Sequence, residues 1–227
     1  MRSSPCIIWD IFLKRVIREP FSGISHFLGA AFSVLGLVLL ILAAQGHPWR
    51  IVSFSIYGAT MILLYTSSGL YHSIKTTPRA EYEFMRIDHM NIFLLIAGSC
   101  TPVCLVPLRG PWGWSLFGVE WGIAIFGVTT TYAWENRPHW VRMAMYIIMG
   151  WIVLATIVPL NHAMVNGGMS WLVAGGLFYT VGAVIYAKDK PNLWPGKFTA
   201  HDLWHVFVLA GSLCHYIFML AYIARLN

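Results

Sequence analysis

Charged side chains are too few to clothe a water-soluble protein. Asp, Glu, Lys and Arg supply 11% of the 227 residues against 58% for hydrophobic types, which excludes a globular aqueous surface. Cysteine is sparse as well: Cys6, Cys100, Cys104 and Cys214 show no CxxC spacing, and three of them fall in apolar runs where a thiol packs as a small hydrophobe. No disulfide framework follows. Low-complexity linkers, internal repeats and a soluble domain are all lacking, so residues 1–227 read as one domain. The net charge of +6 forms no basic stripe with aromatic platforms, which excludes nucleic acid as a partner. The first apolar run is too long and too late for a cleaved signal peptide and reads as retained.

What is present is a series of apolar runs near the roughly 20-residue length that crosses a bilayer. Seven are expected, at 21–43, 50–72, 87–108, 112–133, 140–160, 167–187 and 202–224. The fold class is therefore all-α, a seven-transmembrane helix bundle whose short loops make neighbours antiparallel. Pro102 and Pro107 should bend or end the third span, and Pro159 should end the fifth. The WGW and glycines of 112–133 point to interfacial anchoring and close helix contact.

Lys and Arg set the expected orientation. With residues 1–20 as a cytoplasmic N-terminal segment, the inner side holds Arg2, Lys14, Arg15, Arg18, Lys75, Arg79, Arg86, Arg137, Arg142, Lys188, Lys190 and Lys197, leaving only Arg50, Arg109 and Arg225 outside. The C-terminus then lies outside. That topology is opposite to a G-protein-coupled or rhodopsin-like receptor, and the last span carries no lysine for a retinal Schiff base.

Depth then groups the ionisable residues. His72 ends span two, Asp88 begins span three, and His201 with His205 begins span seven, all on the inner side. His201 and His205, four apart, share a helical face; His72 can add a third nitrogen, and three neutral imidazoles make the open type of zinc site that acidifies water. Asp88 can hydrogen-bond that water or a ligand histidine. Ser68, four before His72, faces the same way and fits a helix-packing serine equally well. Such intramembrane groups are expensive unless partnered. His47, His139 and His162 read as packing or interfacial residues, while His26, His89 and His215 stay open. HDLWH also resembles the HExxH zincin helix, with Asp202 for Glu and an arm one methylene short; Asp202 reads more simply as a helix-start carboxylate.

EPFSGISHFLGA, SGLYH at 68–72, Asp88 in RIDHMNIF, AGSCTP at 97–102 and HDLWH at 201–205 occur in this order along nearly the whole chain. Together they resemble the hemolysin III family, the bacterial branch of the progestin and adiponectin receptor (PAQR) superfamily, which is grouped with alkaline ceramidase-type membrane hydrolases. The resemblance implies seven helices, a cytoplasmic N-terminus and Zn2+ near the inner face on His72, His201 and His205, with Asp88 and Ser68 beside it. Cys100 stands where the family commonly has an aromatic residue. The short N-terminal segment favours a bacterial-type member in the inner (plasma) membrane.

The functional expectation is a zinc-dependent hydrolase of a lipid amide or ester, with membrane lipids as partners, Asp88 as acid and base, and Ser68 helping at the oxyanion. Its rival is a lipid or membrane-fluidity sensor with structural zinc. An intramembrane metalloprotease dependent on Asp202, and a cytolysin, are the weaker alternatives.

Overall fold

The structure is a computed structural model that describes residues 16–134, 137–164 and 167–226. Arg2, Lys14, Arg15 and Cys6, with most of the 1–20 segment, lie outside the described residues. The fold is all-α: α1 (Pro20–Ala43), α2 (Pro48–Ser73), α3 (Pro78–Leu105), α4 (Pro111–Ala133), α5 (His139–Ile152) continued through a 3-10 turn (Val153–Thr156) into α6 (Ile157–Ala163), α7 (Gly168–Lys188) and α8 (Ala200–Ala221), closed by a 3-10 turn at Ile223–Arg225. With α5, the turn and α6 as one rod, seven rods alternate in direction. Among the described residues, six are long and apolar enough to cross a membrane; α4, by contrast, is lowered by Glu120, its tryptophans and its threonines.

Proline starts four of these helices, at Pro20, Pro48, Pro78 and Pro111, where a missing N–H costs nothing and a fixed φ suits the first turn. The third helix begins well before the expected residue 87. Thr77 caps it through the Ala80 N–H, and the polar stretch that follows Pro78 continues the helix beyond the apolar zone that hydropathy detects. Pro102 lies inside α3, which runs on to Leu105. Pro159 does not end the fifth span: the chain tightens into the 3-10 turn just before it and resumes as α6. A proline lacks the N–H owed to the carbonyl four residues back, and tightening the preceding turn absorbs that loss without ending the rod.

Burial is inverted relative to a soluble protein. Phe32, Ile125 and Val158 lie exposed, while Ser22, His26, Arg50, His72, Asp88, Glu120 and His205 are inside, the pattern of a bundle solvated by lipid. Trp112 and Trp114 are exposed near the start of α4, as interfacial anchors require. Of the glycines on that helix, Gly113 and Gly127 make close contacts, since a Cβ would meet the Cys104 and Leu108 carbonyl oxygens at the first and the Phe93 ring at 2.5 Å at the second, whereas Gly118 and Gly122 face open space. The sequence neighbours α1–α2, α2–α3, α3–α4 and α7–α8 pack closely and α8 returns to α1, while α5 touches α3, α4 and α7 more sparsely. That sparse side leaves an internal cavity.

Candidate metal centre

The last turn of α2 and the first turns of α8 meet at one end of the bundle. Thr199 and Asp202 form a capping box at the start of α8: Asp202 Oδ2 accepts from the Thr199 backbone N–H and from its hydroxyl, both at 2.9 Å. Asp202 Oδ1 accepts from Ser22 of α1, also at 2.9 Å. Both carboxylate oxygens are therefore engaged in fixing the helix, which is the helix-start role and not that of a catalytic base. With α8 so placed, His201 and His205 point inward one turn apart.

There they meet His72. His205 Nε2 lies 3.1 Å from His201 Nε2, and His201 Nε2 lies 3.5 Å from His72 Nε2. One ligand atom from each of the three falls within 4.8 Å of the others, and His72 and His205 are each only 2% exposed. Tetrahedral ligands on zinc, with bonds of about 2.0–2.1 Å, sit roughly 3.3–3.4 Å apart, so the two measured separations bracket the spacing such an ion requires. The donor set fits.

The outer nitrogens support the same assignment. His72 Nδ1 lies 2.5 Å from Glu19 Oε2, and because a carboxylate only accepts, the proton resides on Nδ1 and the neutral ring offers its Nε2 lone pair inward. Glu19 is itself held by backbone: its N–H donates to the His72 carbonyl at 2.8 Å, and the Arg18 N–H donates to Ser73 at 3.2 Å. Burial would lift the Glu19 carboxyl, but the His72 hydrogen bond, with the Arg18 guanidinium beside it, holds it below the ordinary glutamate value. On the other flank, His205 Nδ1 lies 2.8 Å from His26 Nε2. With His26 as acceptor, His205 also presents a bare Nε2, so two of the three converging nitrogens can offer their lone pairs to a cation.

Asp88 of α3 and Ser68 of α2 are both buried. Neither belongs to the ligand triple; both line the cavity onto which the histidines open, with Arg142 of α5 across from them. The cavity measures about 180 Å³, more than ten times the roughly 10–15 Å³ that a single water needs. Its wall on α8 runs from His201 to His215, about 21 Å of helix.

The structure thus brings together His72, His201 and His205, and sets Asp88 and Ser68 beside them. His47 and His162 belong to neither the triple nor the cavity wall, while His89 and His215 line the cavity. The sequence assigned no role to Glu19 and left His26 open. A signal for His26 was available: it belongs to the buried stripe Ser22, His26, Gly29, Ser33 and Gly36 of α1, whose spacing of three and four marks an inward face.

A family profile described as Haemolysin-III related matches residues 14–216. The chain belongs to the haemolysin III family. Among relatives, Hemolysin-3 of Bacillus cereus is 39% identical over 210 residues, covering 92% of this chain and 93% of that protein. The Monocyte to macrophage differentiation factor of Homo sapiens is 26% identical over 181 residues, 78% of this chain and 73% of that protein. The Adiponectin receptor protein of Drosophila melanogaster is 24% identical over 228 residues, 85% of this chain and 48% of that protein. This haemolysin III chain is accordingly an integral membrane protein related to the PAQR receptors, with a buried three-histidine cluster that could hold a metal.

Proposed function

We propose that the chain is a zinc-dependent hydrolase of a lipid amide or ester that enters the cavity laterally from the bilayer. The observation that carries this reading is the convergence of three imidazoles on an apolar cavity whose wall also holds the Asp88 carboxyl group and the Ser68 hydroxyl. His72, His201 and His205 would hold the zinc; a bound zinc polarises a carbonyl and acidifies water.

The residues of the chain supply the rest. Asp88 takes the proton of the attacking water and returns it to the departing nitrogen or oxygen. Ser68 and Arg142 share the cavity wall with Asp88, where a hydroxyl and a guanidinium suit a carboxylate that must take up and release a proton. Glu19 and His26 keep the Nδ1 protons of His72 and His205 outward. The apolar lining excludes bulk water and accepts the acyl chain. On this reading the N-terminus is cytoplasmic, because Lys75, Arg79, Arg137, Lys188, Lys190 and Lys197 share the histidine end of the rods, and the site faces the inner leaflet of a bacterial plasma membrane.

The test uses protein reconstituted in lipid nanodiscs, with metal content measured, offered ceramides and acyl esters of several chain lengths. Asp88→Ala should keep its zinc and lose activity by about 10²–10⁴-fold, the usual worth of a positioned acid and base. Absence of any turnover that needs both zinc and Asp88 would remove the hydrolase. A second reading is favoured by the depth of the ligands: buried His72 and His205 would let zinc clamp α2 to α8 in a non-enzymatic lipid or membrane-fluidity sensor. In that case loss of metal destabilises the fold, while Asp88→Ala changes no lipid.

A further inference from the structure

At the opposite end of the same cavity stands a carboxyl group that the histidine chemistry does not use. Glu120 lies within α4, 1% exposed, and neither of its oxygens has a hydrogen-bond partner among the described residues. It lines the cavity together with Ser99, Cys100, Thr180 and His215. On α3 the wall runs from Asp88 to Cys100 and Val103, so this end is about 18–22 Å of helix away from Asp88. Nothing in topology or packing calls for an acid here, and it lowers the hydropathy of the very helix that must enter the bilayer.

The other polar groups at this end are already engaged. Ser99 Oγ donates to the Ile96 carbonyl at 2.9 Å. Thr180 Oγ1 donates to the Gly176 carbonyl at 2.8 Å and accepts from Trp151 Nε1 at 2.9 Å. His215 Nε2 lies 3.3 Å from the Leu172 carbonyl. Glu120 is left with both oxygens unpaired in an apolar chamber, so the occupant that gains most from it is one that brings a charge to pair with it. A fatty acid carboxylate would face a like group, and a plain alkyl end would leave the glutamate unpaired. A protonated amine matches best, because a cation beside a carboxylate in a low-dielectric site is the strongest donor available.

We propose that Glu120 is a second, ligand-anchoring site, which binds the amino group of a single-chain amphiphile lying along the cavity. The site rests on the cavity alone and stands whether the histidine end hydrolyses a lipid or clamps two helices.

The experiment uses metal-loaded protein in phosphatidylcholine nanodiscs and three probes of equal chain length: N,N-dimethyldodecylamine, dodecanol and dodecanoic acid. The thermal midpoint is measured for the unmodified protein and for Glu120→Gln, with metal content confirming that the variant is folded. Labelling of Glu120 by the apolar reagent dicyclohexylcarbodiimide is followed by mass spectrometry. The amine should raise the midpoint saturably and block labelling, with dodecanol weaker and dodecanoic acid without effect; in Glu120→Gln the apparent amine affinity should fall at least tenfold. An equal amine response in both proteins, or labelling that the amine leaves untouched, would show that Glu120 does not bind the amine and would overturn the proposal. Should Glu120→Gln fail to fold, protection from the carbodiimide in the unmodified protein still decides the matter.

Discussion

Glu19 and His26 lie outside the histidine triple, yet each pairs with the outer nitrogen of one of its members. Removing such an outer partner typically weakens a metal site by about 10–100-fold. Glu19→Gln should therefore lower zinc affinity by that order in a chelator competition, with helical content unchanged by circular dichroism. His26→Ala should act in the same direction through His205, and combining the two changes should strip the metal at chelator concentrations that either single variant tolerates. The residues most readable from the amino-acid order were those at span ends, His72, Asp88, His201 and His205, because hydropathy supplies depth. Glu19 and His26 escaped because their bonds join positions 53 and 179 residues apart, and depth says nothing about which way a side chain faces around its helix. Glu120 escaped for another reason: a single acid in an apolar run barely alters the run.

Among the elements, α8 carries the densest set of local instructions. Thr199→Ala removes its cap and should cost about 1 kcal/mol, seen as a lower thermal midpoint with metal still bound. Asp202→Asn keeps an acceptor for the cap, so lipid hydrolysis should persist in that variant; loss of turnover with an intact fold would instead revive the peptidase reading of HDLWH. Gly127→Leu would drive a side chain into Phe93 and should separate α3 from α4, giving reduced yield and a broadened melting transition. Helix existence was legible throughout, since each rod carries its apolar run and several carry a leading proline. The early start of α3 and the continuation past Pro159 were not, because caps and a local 3-10 adjustment decide them and hydropathy averages over both.

At the scale of the molecule, a metal that joins α2 to α8 should contribute to global stability by mass action. Extraction of the ion with a strong chelator should lower the thermal midpoint, by an amount corresponding to about 2.7 kcal/mol where free metal had stood at a hundred times its dissociation constant. Re-addition should restore it. His201→Ala, which removes a ligand without disturbing the Glu19 or His26 contacts, should show the lower midpoint and no response to metal.

The pairing of α1 with α8 also imposes an order of events on the ribosome. Glu19 and His26 emerge first and the two nitrogens on His201 and His205 last; at about 5–20 residues per second, the 179 residues from His26 to His205 take roughly 10–35 s. Through that interval His72 and Glu19 stand without the two imidazoles of the last helix. On the zinc reading, acquisition of the ion is therefore among the last steps in the birth of the protein, and a chain arrested before its final helix holds none.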